Sequence, residues 1–129
     1  AAFELFKITG EQAYLNEARK AAYYCISDAS MLDLGNNILR DEGNGDGGLF
    51  KGIFMRYFAL LIQEPTLDEG YKKKFTTFFN NNVAVLWQKG TNKQTLMMGP
   101  NWANAIKGTN QLTSQTSACM AIEAKATLK

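Results

Sequence analysis

Asp46-Gly47-Gly48-Leu49-Phe50-Lys51-Gly52-Ile53-Phe54-Met55-Arg56-Tyr57-Phe58 is the stretch that decides how this chain is read. Glycines behind an acidic residue give way to a segment with apolar side chains at almost every position of a helical turn. Phe50, Phe54, Tyr57 and Leu61 define one face, and Leu49, Ile53, Phe58 and Ile62 another. A helix over Leu49–Gln63 is therefore predicted to be buried on both sides. Two cations interrupt it, and a half-buried cation is costly unless paired. Arg56 is expected in a salt bridge. Lys51, one turn in, is expected either to pair with Asp46 or to meet a ligand hydroxyl. The loop ahead of the helix reads as the wall of a ligand-sized space.

Working outward, the same periodicity gives four more helices. Residues 2–8 form a short apolar one that stops at Thr9-Gly10, where glycine suits the left-handed cap. Thr9 and Gln12 have capping-box spacing for the next, whose Tyr14, Ala18, Ala21 or Ala22, Cys25 and Ala29 recur every three or four residues. Asp33 to Gly48 is loop, with an extended piece near Asn37–Arg40. Pro65 ends the third helix, and Thr66 with Glu69 has the spacing of a second capping box. The fourth runs from Leu67 to about Lys89, with Tyr71, Phe75, Phe78 or Phe79, Val83 and Leu86 inward; Trp87 is expected in the core. Gly90–Thr113 is a long loop. The fifth, Ser114 to Thr127, carries Ala118, Ala121 and Ala124 and is suited to close approach by a neighbour. No strand alternation competes, so the class is all-α, built of helical hairpins with one helix left over.

Composition narrows the chemistry. Of 129 residues 46% are hydrophobic, enough for a single core. Fourteen basic against 12 acidic residues leave a net charge of +2, and the longest basic run is Lys72-Lys73-Lys74, so nucleic acid is not an expected partner. No apolar stretch reaches the ~20 residues of a membrane span. The absence of histidine removes Ser-His and Cys-His catalysis and most zinc sites. Cys25 and Cys119 lie among alanines on apolar faces and read as free buried thiols rather than a disulfide. No cofactor and no metal is expected.

The glycine loop admits several readings. Gly43-x-Gly45-x-x-Gly48 matches a dinucleotide fingerprint, but that motif needs a strand before it and its surroundings are helical. Glu42, Asn44 and Asp46 alternate as in a calcium loop, yet the glutamate that should close such a loop falls on Ile53. A plain connector and a sugar-binding loop remain. Asp41, Glu42 and Asp46 are carboxylates suited to capping the helix or binding hydroxyls near its positive end; their spacing in a loop fixes no catalytic separation. Trp102, in Gly99-Pro100-Asn101-Trp102, suits either stacking on a pyranose or plugging the helix ends.

Together these segments resemble glycoside hydrolase family 76, the bacterial and fungal α-1,6-mannanases. The resemblance rests chiefly on Gly-Asp-Gly-Gly-x-Phe-Lys-Gly-Ile-Phe-x-Arg-Tyr, ending at Tyr57. Ala1–Leu15, with its Thr-Gly step, is similar to the repeat shared by many (α/α)6-barrel glycosidases. Gly99–Trp102 and Gln115–Ala124 look like the last loop and last helix. The resemblance implies the C-terminal part of an (α/α)6 toroid, with the apolar third helix in the inner ring and the fourth in the outer one. It implies an endo-acting, retaining enzyme on α-mannan, secreted, periplasmic or cell-surface, whose catalytic groups are two adjacent aspartates.

This chain has no Asp-Asp dipeptide, opens on an apolar helix and lacks an initial methionine. The expectation is a C-terminal portion of a larger protein, residues 1–129 forming one helical segment without catalytic residues. Asp46, Phe50, Lys51 and Trp102 are the candidate sugar contacts on the cleft wall. An open apolar flank is expected where other helices belong, favouring self-association. The alternatives are a non-catalytic helical scaffold or protein-interaction module, with a closed core, and a different toroid enzyme of the unsaturated-glycuronidase type.

Overall fold

A computed structural model describes residues 1–128. Five α-helices dominate it: α1 (Ala2–Thr9), α2 (Gln12–Ser27), α3 (Gly47–Ile62), α4 (Glu69–Val85) and α5 (Leu112–Thr127). Two short strands, β1 (Leu32–Asp33) and β2 (Ile38–Leu39), pair antiparallel between α2 and α3. The extended piece expected near Asn37–Arg40 is thus half of a hairpin. Its turn closes with Asn37 at φ 52°, a conformation asparagine tolerates better than most residues.

Local chemistry sets the helix ends. Gly10 adopts φ 73° and its amide donates to the Phe6 carbonyl, closing α1 as its position suggested. Neither expected capping box forms. Thr9 Oγ1 donates to the Leu5 carbonyl and accepts from the Glu11 amide, so it serves the turn and not α2. Asp68, not Thr66, caps α4, its carboxylate accepting from the Gly70 and Tyr71 amides at 3.0 and 3.2 Å. Thr66 instead bonds the Glu64 carboxylate, because the chain first turns inward to bury Leu67. The α-helical part of α4 stops at Val85, and Leu86–Gly90 forms a wider π-turn. That turn leaves Trp87 49% exposed, against the expectation that it lies in the core.

The core is aromatic on one side of α3 and made of small residues on the other. Phe58 packs on Phe75 and Phe79 of α4, with ring centroids 5.0 and 6.2 Å apart. Asn82 on α4 is fully buried. It accepts from the Leu39 amide and donates to the Phe78 carbonyl, pinning β2 to the helix. On the other side α3 lies against α5 through Gly48 and Gly52, which face Ser114 and Ser117. The Gly52 amide donates to Ser117 Oγ at 2.7 Å. Ala118 and Ala121 are buried in the same seam, the close approach that the small residues of α5 foretold.

One expectation for α3 fails. Met55, Phe58, Ala59, Leu61 and Ile62 are buried, but Phe50, Ile53, Tyr57 and Leu60 are exposed. These four recur at helical spacing, so α3 packs against α4 and α5 and still leaves one apolar stripe uncovered. Beside this stripe an apolar hollow of about 290 Å³ runs between α3 and the α1–α2 hairpin, lined by Phe3, Ala22, Ile53, Tyr57 and Leu61 among others.

Short connections join the helices at one end of the bundle. The long segments 28–46 and 91–111 meet at the other, where the Gly45 amide donates to Gln111 Oε1 at 2.6 Å.

Candidate functional site

The loop end gathers most of the residues that the sequence singled out. Gly43 and Gly45 hold φ 74° and 70°, conformations that an L side chain rarely adopts, and they fold the acidic loop back over the start of α3. Asp41 Oδ1 accepts from the Gly43 amide at 2.8 Å, which ties its carboxylate to the turn. Asp46 occupies the N-cap of α3 but makes no capping bond; its side chain is exposed. A free carboxylate at a helix N-terminus is electrostatically favoured there and keeps its acceptor capacity for a ligand.

Phe50 and Lys51 leave α3 in different directions. Phe50 is 58% exposed. It borders a hollow of about 130 Å³ whose walls also include Glu42, Lys51, Cys25 and Leu39. Lys51 is only 3% exposed and turns toward the loop before α5. Its amine donates to the Pro100 carbonyl and lies 4.4 Å from the centre of the Trp102 ring. The structural pair expected with Asp46 is not the one found, because the position of Lys51 on the helix aims it at segment 98–102 and not back at Asp46. Burial lowers its pKa from 10.5 to about 8, with Asp41 and Glu42 pulling in the opposite direction.

Trp102 is 1% exposed. Its ring presents no open face here, being packed beneath the Lys51 amine. Its backbone also packs tightly: a Cβ on Gly90 would come within 2.5 Å of the Trp102 carbonyl oxygen. Lys51 and Trp102 are thus buried against each other, while Phe50 and Glu42 border the hollow and Asp46 stands exposed at the helix N-cap. Arg56 departs from expectation too. It is exposed, with no carboxylate within 4.0 Å among the described residues, and shares a groove with Leu60 and Glu123.

Cys25 and Cys119 are free thiols, as read, though half-buried. Burial and the neighbouring Glu42 carboxylate push the Cys25 thiol pKa up, which keeps it protonated and unreactive. Among the residues of the hollow, Glu42 is the one that the sequence left undistinguished. Its alternation with Asn44 and Asp46 was visible, but nothing in that pattern says that Glu42 lines the hollow beside Lys51.

Residues 1–129 match the family model for glycosyl hydrolase family 76. The chain belongs to glycosyl hydrolase family 76. Among solved structures it is similar to the GH76A α-1,6-mannanase from Salegentibacter sp. HEL1_6, with 38% identity and a TM-score of 0.93 over 99% of this chain. An inactive variant of that mannanase, with two adjacent aspartates replaced by asparagine and α-1,6-mannotriose bound, matches at a TM-score of 0.92 and the same identity. The Lin0763 protein from Listeria innocua matches at 36% identity and 0.82 over 98% of this chain. None of the curated proteins matches. The chain spans 37% of the length of the mannanase and 34% of the Listeria protein. The five helices are thus part of a family 76 helical toroid. No helix among the described residues is long and apolar enough to cross a membrane.

Proposed function

We propose that this chain forms one wall of a glycan cleft in an α-1,6-mannanase-type glycoside hydrolase. The adjacent aspartates that would act as nucleophile and acid/base lie outside these residues, since no Asp-Asp dipeptide occurs here. The observation that carries the reading is the unspent carboxylate of Asp46 at the N-cap of α3, one helical turn before the exposed Phe50 that borders the Glu42–Lys51 hollow. Asp46 accepts hydroxyl hydrogen bonds and Phe50 packs on the apolar face of a pyranose. Lys51 acts at one remove: it holds the Pro100 carbonyl and the Trp102 ring so that segment 98–102 stays fixed behind the sugar. Membership of the family supports a secreted, periplasmic or cell-surface setting.

Calorimetric titration with linear α-1,6-mannotetraose tests this. The parent chain binds, and Asp46→Ala weakens binding by at least about tenfold, the loss of one charge-assisted hydrogen bond. Equal affinity in the two proteins, or no binding by either, would withdraw the assignment.

The open stripe Phe50, Ile53, Tyr57 and Leu60 favours this toroid reading over a scaffold with a closed core. It also leads to self-association of the isolated chain. Sedimentation velocity is expected to show concentration-dependent dimers that Tyr57→Lys with Leu60→Lys removes. A monomer at all concentrations would contradict it.

A further inference from the structure

Trp87 takes no part in the wall described above, yet three observations single it out. Tryptophan is ordinarily among the most buried residues on average, and here it is 49% exposed. It sits in the π-turn Leu86–Gly90, a rare geometry that recurs at functional sites. It is also held in place: Lys93 Nζ lies 3.5 Å from its ring centre and donates to its carbonyl. The segment carrying Lys93 is itself braced, with Asn92 Oδ1 accepting from the Gln94 and Thr95 amides and a bridge between Thr91 and Met98. Two residues along, Lys89 donates to Asn36 Oδ1 at 2.8 Å, so the turn is anchored at the loop end of the bundle.

We infer that Trp87 is a stacking platform for a pyranose of an α-mannan chain, separate from the hollow at Glu42 and Lys51. The C–H face of a pyranose is apolar and matches an indole ring, while its hydroxyls remain in water. Lys93 occupies one face of the ring; the sugar takes the other. Because Lys93 already lies against one face of the ring, binding forfeits less rotamer entropy than it would on a free side chain. The choice of mannan rests on the proposed function. The platform does not, since it shares no residue with the Asp46 wall.

The two tryptophans provide the readout, because Trp102 is buried at 1% exposure and Trp87 is not. In the intact chain, acrylamide quenches the Trp87 emission, and linear α-1,6-mannotetraose at up to about 10 mM shifts that emission to the blue and protects it. Trp87→Ala keeps the Trp102 emission and loses the response. In the Asp46→Ala background, where the wall no longer dominates, Trp87→Phe weakens the remaining calorimetric binding by about tenfold. Asp46→Ala leaves the Trp87 response intact, which separates this site from the wall. No protection of the parent chain would overturn the inference. So would a response that survives in Trp87→Ala or one that disappears in Asp46→Ala. Circular dichroism confirms that each variant is folded, as expected for changes at an exposed ring.

Discussion

Gly52→Ala is expected to destabilise the chain by at least about 3 kcal/mol, at the upper end of overpacking costs. A Cβ at this position would sit 2.5 Å from the Cα of Ser117 and 2.6 Å from its carbonyl oxygen. These are backbone atoms of a helix, so no rotamer change relieves the contact; α3 and α5 must separate. That separation would break the Gly52–Ser117 hydrogen bond and open the seam of Ala59, Ala118 and Ala121. Domains of this size are stable by only about 5–15 kcal/mol, so the change takes a large share of the total. Ser117→Ala, which deletes the hydroxyl and adds no atom, is expected to cost only about 1 kcal/mol. Urea unfolding of both variants makes the comparison, and a Gly52→Ala loss no greater than that of Ser117→Ala would contradict the close-packed seam. Function follows from the same contact. The seam sets the start of α5, and Gln111 just ahead of it holds the Gly45 amide of the acidic loop.

Lys51 carries the second large effect, and its sign can be worked out. Its folded pKa of about 8 lies below the ordinary 10.5 because burial penalises the charged amine. Below about pH 8 both folded and unfolded chains hold the proton, and the folded state bears the whole cost of the buried charge. Between about 8 and 10.5 the unfolded chain binds more protons, so stability from this group rises with pH. The interval corresponds to about 3 kcal/mol. Lys51→Met keeps a long flexible stem over Trp102 but neither titrates nor donates to Pro100. Measured by chemical denaturation, the stability of the parent relative to Lys51→Met should climb by up to about 3 kcal/mol across that interval. Parallel pH curves would show that the amine is not buried as described. Lys51→Ala also removes the stem and leaves a cavity beneath Trp102 with the Pro100 carbonyl unpaired, for a loss of about 2–4 kcal/mol.

How far the sequence could be read depended on whether local spacing or tertiary direction settles a feature. The five helices, the Gly10 cap and the close approach of α5 follow from apolar periodicity and residue size, which act within a few residues. The two tryptophans show the limit. By helical period Trp87 follows Leu86 into the core, and Leu86 is indeed fully buried. Adjacent helical residues point in different directions, and where α4 passes into the π-turn Leu86 takes the core side and Trp87 the solvent side. Trp102, in a glycine- and proline-marked loop, looked equally suited to the surface and is buried beneath Lys51. Capping shows the same limit on a smaller scale: Thr66 and Asp68 both precede α4 with plausible geometry, and the burial of Leu67 decides between them. For the candidate site, the resemblance pointed to this loop and to the neighbouring Phe50 and Lys51. It could not show that Phe50 turns outward and Lys51 inward, because that depends on where segment 98–102 crosses α3.

The central claim, that the acidic loop and the start of α3 form a sugar-binding wall, is tested most directly by amide-resolved NMR. The ¹⁵N-labelled chain is titrated with linear α-1,6-mannotetraose. Saturable shifts concentrated at Glu42–Lys51, with a second set confined to the Trp87 turn, are the predicted result. A silent Glu42–Lys51 segment at concentrations of sugar that saturate any other part of the chain, or that leave the whole chain unchanged, would contradict it.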